Sequence, residues 1–309
     1  MILYIIRRVL YLAPVCLGIL VLTFLIKVFI PTDAVSMLYM GQLSEADSQE
    51  AAAIIRAKFH LDQPMPVQFY YYVADLLRGD LGVSIRTRQP VIQEIGYRYL
   101  NTIKLALASL VIGVVVGVGA GIVSAYFKDS LLDLTAMMGS LGGISIPPFF
   151  FGILLILLFA VELRWVPVIG DGGWKHLILP ALNLGLILSA SLSRITRSSM
   201  LEVLEQDYIR TARAKGLPER LVIFKHALRN ALLPLVTIIG LSLGTFLGGA
   251  VLTETIFGLS GVGRILYDAI TARDYGVVQS FTVVIAVFFV VLNLIIDVSY
   301  VYLDPRVRL

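Results

Sequence analysis

The stretch DYIRTARAKGLPERLVIFKHALRNALLP, residues 207–234, is crowded with Arg and Lys yet stands between two long apolar runs. Asp207 is a suitable N-cap for a helix, and Gly216 is a suitable residue to end it. Pro218 suits the first turn of a following helix. This stretch, called here the basic hairpin, is therefore predicted to form two short helices joined by a sharp turn.

The second helix of the basic hairpin is predicted to be amphipathic. Leu221, Phe224 and Leu228 recur at helical spacing and form one apolar face. Glu219 lies near the positive end of this helix, where a carboxylate is stabilising. Pro234 then permits a fresh start into the next apolar run.

Two small residues distinguish the basic hairpin from an ordinary basic loop. Ala212 and Gly216 are four residues apart and share one helix face. A basic loop at the membrane surface, in contact with anionic lipid, would explain the arginines but not this face. Small residues let another surface approach closely, so we predict that the hairpin fits a groove of a cytoplasmic partner.

The apolar runs on either side of the hairpin belong to a chain of 309 residues that is 58% hydrophobic and 15% charged. Runs of about 20 apolar residues match the thickness of a bilayer core. The sequence predicts an all-α polytopic membrane protein with six transmembrane helices. Their approximate bounds are Val9 to Ile30, Leu100 to Phe127, Leu134 to Val161, Leu177 to Ile195, Leu233 to Phe257 and Val277 to Leu303.

The distribution of basic residues predicts the orientation of these spans. Because cytoplasmic loops carry an excess of Lys and Arg, the regions before span one, between spans four and five, and after span six are predicted to be cytoplasmic. Both termini are then cytoplasmic. The basic residues concerned are Arg7, Arg8, Arg194, Arg197, Arg210, Arg213, Lys215, Arg220, Lys225, Arg229, Arg306 and Arg308.

The long segment after span one is then external. EADSQEAAAIIRAKFHLDQP and QFYYYVADLLRGDLG each have the pattern of an amphipathic helix, the first closed by Pro64 and the second by glycine. We predict a division into residues 1–98, the first span with a small external helical region, and residues 99–309, a five-helix core with a cytoplasmic helix at about 205–217.

Glycines and prolines predict how the spans pack. Gly113, Gly117 and Gly121 recur on one face of span two, which favours close approach of another helix. Pro147 and Pro148 are expected to break span three. The broken helix fits a hinge or cavity lining, and simple kinked packing remains an equal alternative.

Several kinds of chemistry have no support in the sequence. Three histidines and the single cysteine, Cys16, form no metal-ligand cluster, and no phosphate-binding G-x-x-x-x-G-K-[ST] loop is present. GLSG at residues 258–261 resembles a protease nucleophile site but lacks a nearby base. We predict no enzymatic role, no bound metal and no nucleic-acid partner. Glu254, Asn293 and Asp297 remain as charged or polar candidates within or near the spans.

The basic hairpin resembles the cytoplasmic loop of binding-protein-dependent ABC importer permeases, in particular the dipeptide/oligopeptide/nickel family. Of that loop's E-A-A-x-x-x-G core, Ala212 and Gly216 match, and Leu233-Pro234 lies about five residues further on than in the general pattern. The segments FHLDQPMPVQFYYYV, GDLGVSIRTRQPV, ETIFGLSGVGRILYDAITARDYGVVQ and LDPRVR also resemble this family in order. Within them Leu259-Ser260-Gly261 replaces the usual Trp-Pro-Gly.

This resemblance implies the type I ABC importer permease fold in a bacterial inner membrane. It implies a pore subunit that works with a related second permease, an external solute-binding protein and two ATPase subunits, which bind the ATP and Mg²⁺ that this chain does not. It also implies that the helix near residues 205–217 couples the pore to the ATPases. The residues assigned to that coupling surface are Tyr208, Arg210, Thr211, Ala212, Arg213, Ala214, Lys215 and Gly216.

The cargo and its path are less defined. Di- and oligopeptides are the expected cargo, with glutathione and nickel chelates as alternatives of the same architecture. Polar residues of spans four to six could line the path or bond neighbouring helices: Asn183, Ser189, Thr237, Ser242 and Thr245. A secondary transporter would need intramembrane ion ligands. That class and a membrane scaffold without transport are the rivals, which a stoichiometric ATPase partner would exclude.

Overall fold

The structure, a computed structural model, describes residues 13–25, 62–84, 86–248, 250–272 and 274–303. Within these ranges the chain is almost wholly helical, and its only β-type pairing is an isolated antiparallel bridge between Val83 and Pro90. The predicted all-α class is confirmed. Arg7, Arg8, the first predicted external helix and the C-terminal arginines lie outside the described residues.

Twelve helices are numbered here in chain order within the described ranges. Their bounds are α1 Ala13–Leu25, α2 Met65–Leu77, α3 Val91–Tyr126, α4 Leu131–Ser145, α5 Pro148–Leu155, α6 Trp174–Leu204, α7 Asp207–Ala214, α8 Glu219–Leu221, α9 Leu228–Leu247, α10 Val251–Ile256, α11 Val262–Thr271 and α12 Tyr275–Leu303. Two π-helical segments, Ile156–Glu162 and Val222–Ala227, continue α5 and join α8 to α9.

Five of the six predicted spans correspond to long apolar helical segments. Three are single helices, α3, α6 and most of α12, and two are bent pairs. One bent pair is Leu131–Ser145 with Pro148–Glu162, at 105°, and the other is Glu219–Leu232 with Pro234–Leu247, at 57°. The described part of the first span is the 13-residue apolar helix α1.

The end of span five was placed wrongly from the sequence. Its helix ends at Leu247 rather than near Phe257, and the short helix α10 follows as a separate element. Gly244 and Gly248 lie at this end, and glycine has a low helix propensity, which favours an end to the helix here. Glu254 therefore lies in α10 and not within the span.

The described residues form two compact units. One contains residues 99–264 and 291–303, and the other contains residues 13–25, 62–98 and 265–290. The division of the chain into residues 1–98 and residues 99–309 remains a prediction.

In the second unit, buried polar contacts fasten the segment before α3 to α12. Asp274, which is buried, accepts hydrogen bonds from Ser84 Oγ at 2.5 Å and from the Arg86 backbone N–H at 3.2 Å. The Ser280 hydroxyl donates to Leu81 O at 2.5 Å. Gly79, at φ +79°, follows α2, so the predicted glycine stop of that helix is confirmed. Buried carboxylates with several donors are expensive to disrupt, so this segment is held firmly.

The glycine face of α3 packs directly on α6, as predicted. A Cβ on Gly113 would lie 2.7 Å from the Leu188 side chain, and one on Gly117 would lie 2.7 Å from the Ser189 backbone oxygen. A Cβ on Gly121 would collide with Thr196. At Gly117 and Gly121, about one turn apart, α3 therefore lies directly against the α6 backbone, a contact that only glycine allows.

We predict that Gly117→Ala destabilises the protein whereas Gly119→Ala does not. The Gly117 methyl group would meet backbone, which cannot give way easily, and overpacking of this kind costs about 1–3 kcal/mol. Nothing lies within 4 Å of a Cβ at Gly119, two residues along the same helix. Thermal unfolding of the two variants in mild detergent checks this, and equal melting temperatures would contradict the close α3–α6 contact.

The break in span three occurs at the predicted prolines. Helix α4 ends at Ser145, and α5 begins at Pro148 with Pro147 as its N-cap. Neither proline can donate a backbone hydrogen bond, so the helix restarts in a new direction. The predicted break is confirmed.

Candidate functional site

The first helix of the basic hairpin is α7, and its end has the geometry of a Schellman motif. The Gly216 N–H donates to Arg213 O at 2.9 Å, and the Leu217 N–H donates to Ala212 O at 3.4 Å. Gly216 has φ +74°, the left-handed conformation that favours glycine. The predicted helix stop is confirmed, but Asp207 is the first helical residue rather than the N-cap, which is Gln206.

The second helix of the hairpin differs from the prediction. It starts after Pro218 as expected, but a π-helical segment, Val222–Ala227, interrupts it at once. The wider turn shifts the register of the side chains, because each π turn takes more residues than an α turn. The predicted apolar face therefore does not form: Leu221 and Phe224 are 44% and 56% exposed, and Val222 and Ile223 are buried instead.

Ala212 contributes to the hairpin's own core. It is 6% exposed and packs in a buried cluster with Ile209, Val222 and Ala227. Nothing lies within 4 Å of a Cβ at Gly216, so Gly216 is needed for the turn rather than for a close contact. Ala212 thus lets the two arms of the hairpin approach each other, whereas the sequence analysis expected it to receive the surface of a partner.

The remaining residues predicted for the coupling surface are accessible. Tyr208 is 43% exposed, and Arg210 and Lys215 are exposed as well. Leu221 and Phe224 are exposed too, so the hairpin presents both basic and apolar side chains to solvent. The exposed residues of the predicted set are Tyr208, Arg210, Thr211, Arg213, Ala214, Lys215 and Gly216.

Polar contacts keep the two arms of the hairpin together. Arg213 forms a bidentate ion pair with Glu219, with Nη2 2.7 Å from Oε1 and Nε 3.3 Å from Oε2. The hydrogen bonds to Glu219 raise the pKa of Arg213 above its ordinary value, so the guanidinium stays charged. Asn230 Nδ2 donates to the Tyr208 hydroxyl at 2.7 Å. The arms can therefore move as one body.

The basic hairpin also packs on the ends of two spans. Its buried cluster includes Ala125 of α3 and Met200 of α6, with Ile122 partly buried against them. A movement of the hairpin would push on both spans directly, because packed cores deform little. Sequence reasoning missed this packing, although the small residues Ala212, Ala227 and Ala231 were its signal.

The polar residues proposed for the path have different positions. Asn183 and Ser189 are buried within the chain, where Ser189 Oγ donates to Leu186 O at 2.7 Å and Asn183 Nδ2 lies 3.4 Å from Thr253 Oγ1. Thr245 is exposed, and Thr237 and Ser242 are half-buried. Bonding of neighbouring helices, the alternative left open for this set, describes Asn183, whereas the Ser189 hydroxyl bonds within its own helix. Among the described residues, no group of three His, Cys, Asp or Glu could hold a metal ion.

Comparisons with known proteins agree on one family. A model described as the inner membrane component of binding-protein-dependent transport systems matches residues 117–309, and the N-terminal model of the same component matches residues 1–106. The glutathione transport system permease protein GsiC of Escherichia coli (strain K12) is 41% identical over 305 residues, which are 99% of this chain and 98% of that protein. The dipeptide transport system permease protein DppB of Alkalihalophilus pseudofirmus is 41% identical over 336 residues and the full length of both.

A solved structure shares the fold. An inward-facing conformation of the MetNI methionine ABC transporter superimposes with a TM-score of 0.60 at 18% identity, covering 70% of this chain and 99% of that chain. At this identity the likeness concerns the fold alone. It agrees with the predicted type I importer permease architecture.

Proposed function

The chain belongs to the family of binding-protein-dependent transport system inner membrane components, and from this premise we propose that its cargo is a short peptide or a peptide-like solute. The protein is a multi-pass inner-membrane permease of an ATP-driven importer, and separate ATPase subunits hydrolyse the ATP. It works with ATPase and solute-binding partners, as this family does.

The cargo proposal rests on what two relatives have in common. The names of GsiC and DppB give glutathione and dipeptides as their cargoes, and both similarities extend over nearly the whole chain. These solutes share a short peptide backbone with charged ends. A di- or oligopeptide is therefore the first expectation, and glutathione the second.

Uptake into proteoliposomes tests the cargo. The permease is reconstituted with its ATPase and solute-binding partners, and ATP-dependent uptake of radiolabelled dialanine, glutathione and a nickel chelate is compared. Saturable uptake of dialanine or glutathione is expected. Uptake of the nickel chelate alone would overturn the proposed cargo class while leaving the family assignment intact.

We further propose that the basic hairpin docks on the ATPase. This is supported by the exposure of Tyr208, Arg210 and Lys215 on the first arm of the hairpin and of Leu221 and Phe224 on the second. Aromatic and Arg side chains are typical of interface centres, and exposed apolar groups favour burial by a partner. Arg210 and Lys215 would pair with acidic groups. Ala212, in this account, holds the surface together from within.

The proposed assembly contains a second, related permease and two ATPase subunits, with both termini of this chain in the cytoplasm. The basic residues of the hairpin support this orientation. Thr237, Ser242 and Thr245 of α9, none of which is buried, are the better candidates for the path. Asn183 is proposed to bond the neighbouring helix α10, whereas the Ser189 hydroxyl bonds within α6.

A further inference from the structure

Helix α11 begins in an unusual way, because side chains from other elements accept its first backbone N–H groups. The Val262 N–H donates to Thr102 Oγ1 at 2.9 Å, and the Arg264 N–H donates to Glu254 Oε2 at 3.0 Å. The Gly263 N–H also faces the Glu254 carboxylate. These are the groups that a helix cannot satisfy by itself. The start of α11 is therefore fixed to α3 and α10.

Glu254 lies at the centre of this arrangement. It is 0% exposed, and Thr102 Oγ1 donates to its Oε1 at 2.7 Å. The neighbouring glycines make room for it: a Cβ on Gly261 would fall on the Glu254 carboxylate, and one on Gly263 would lie 2.8 Å from the Val251 backbone. Thr102 and two backbone N–H groups donate to the carboxyl group, so its oxygens have partners although they are buried. The loop before α11 is thus folded around this one side chain.

A second set of contacts joins the same loop to the segment before α6. Asn101 Nδ2 donates to Ser260 O at 3.1 Å and lies 3.3 Å from both carboxylate oxygens of Asp171. The Gly170 N–H donates to Phe257 O at 3.3 Å. The loop, residues 101–102 of α3 and the segment before α6 therefore form one connected group, called here the Glu254 node.

Helices α3 and α6 connect the Glu254 node with the basic hairpin. Thr102 lies in the node and Ala125 in the hairpin's buried cluster, and they stand 23 residues apart on α3, about 35 Å of helix. The glycine contacts with Leu188, Ser189 and Thr196 hold α6 against α3 between these ends. Two helices in backbone contact bend less easily than one, so a displacement at one end reaches the other.

We propose that Glu254 and Thr102 are positioning residues that make the loop before α11 follow movements of the basic hairpin. This inference rests on the proposed docking of the hairpin on the ATPase. It concerns the region that α3 and α6 connect with the hairpin. Neither residue is proposed to touch ATP or cargo. Their role is to hold the α11 start on α3, so that ATPase closure changes both ends of the permease together.

The variant Thr102→Val tests this most cleanly, with Thr102→Ser as its matched control. Valine keeps the shape of threonine but removes the hydroxyl that joins Glu254 to Val262, whereas serine keeps it. We expect Thr102→Val to lower the amount of cargo imported per ATP hydrolysed roughly tenfold, because buried groups lose their partners. Thr102→Ser is expected to keep the wild-type ratio, and both variants should copurify with the ATPase at wild-type stoichiometry.

Glu254→Gln provides a second, independent variant. Glutamine has one acceptor oxygen where Glu254 has two, so either the Thr102 hydroxyl or the α11 N–H groups lose their acceptor. A similar fall in cargo imported per ATP hydrolysed is therefore expected, and Thr102→Val combined with Glu254→Gln should fall no further than either alone. A wild-type ratio in either assembled variant, or an equal loss in Thr102→Ser, would overturn the proposal. Failure of both variants to assemble would overturn it too, since the contact would then serve folding alone.

The proposed cargo and this inference fail in different ways. If the wild-type transporter imports neither dialanine nor glutathione, the cargo is wrong. The node is then tested by the stimulation of ATP hydrolysis on adding the solute-binding protein, which wild-type and Thr102→Ser should show and Thr102→Val should lose. If wild-type protein imports dialanine and Thr102→Val keeps its ratio, the inference alone is wrong.

Discussion

Replacing Gly216 with valine is expected to abolish most ATP-driven uptake while leaving the membrane helices folded. Gly216 has φ +74°, where an L-residue costs about 1–2 kcal/mol and a β-branched one more, so the native turn becomes roughly tenfold rarer or worse. The Schellman hydrogen bonds from Gly216 and Leu217 would be lost with it. Uptake into proteoliposomes and thermal unfolding in detergent are the two measurements.

Gly216→Asn is the matched control, because asparagine enters the left-handed region more readily than other non-glycine residues. Nothing lies within 4 Å of a Cβ at this position, so the two variants differ in backbone strain at the turn and not in contacts with other residues. The asparagine variant is expected to keep most of the uptake. Equal uptake by the valine and asparagine variants would show that the turn geometry does not matter for coupling.

The second large effect is expected at the ion pair between Asp133 of α4 and Arg197 of α6. Arg197 Nε and Nη2 lie 2.7 and 2.6 Å from the two Asp133 oxygens, and Ser124 of α3 also donates to Asp133. Asp133 is buried, so removal of its cation leaves an uncompensated charge. Arg197→Met is expected to lower the free energy of unfolding by about 3 kcal/mol, the lower end for such pairs because Arg197 is partly exposed.

Two further variants test whether the loss of stability in Arg197→Met comes from the uncompensated charge of Asp133. Arg197→Met combined with Asp133→Asn should be more stable than Arg197→Met alone, because the buried charge is then gone. Arg210→Met removes an exposed guanidinium whose partner, Asp207, is exposed too, so little change is expected. Unfolding by denaturant titration in micelles measures all three. An Arg197→Met variant as stable as Arg210→Met would contradict the structural role of the pair.

Much of the fold could be predicted because its signals are local. The apolar runs, the proline break at Pro147 and the glycine face at Gly113, Gly117 and Gly121 each depend on residues near one another in the chain. Gly216 ended its helix for the same reason. Such features follow from backbone geometry and side-chain size alone.

The errors came from features that depend on tertiary contacts. The π-helical segment Val222–Ala227 rotated Leu221 and Phe224 outward, and helical periodicity assumes a uniform α-helix. Ala212 was assigned to an open surface, although its partners Val222 and Ala227 come from the next helix. Glu254 was recognised as an isolated carboxylate, but its donor Thr102 is 152 residues away in the sequence.

The central claim is that the basic hairpin is the part of this permease that the ATPase grips. Placing a photo-crosslinking phenylalanine analogue at Tyr208, and in a control at Tyr71 of α2, tests it in intact cells expressing the whole transporter. The account predicts a covalent adduct with the ATPase subunit, identified by mass spectrometry, from Tyr208 and not from Tyr71. An assembled transporter in which Tyr208 yields no ATPase adduct, or in which Tyr71 yields one, would contradict it.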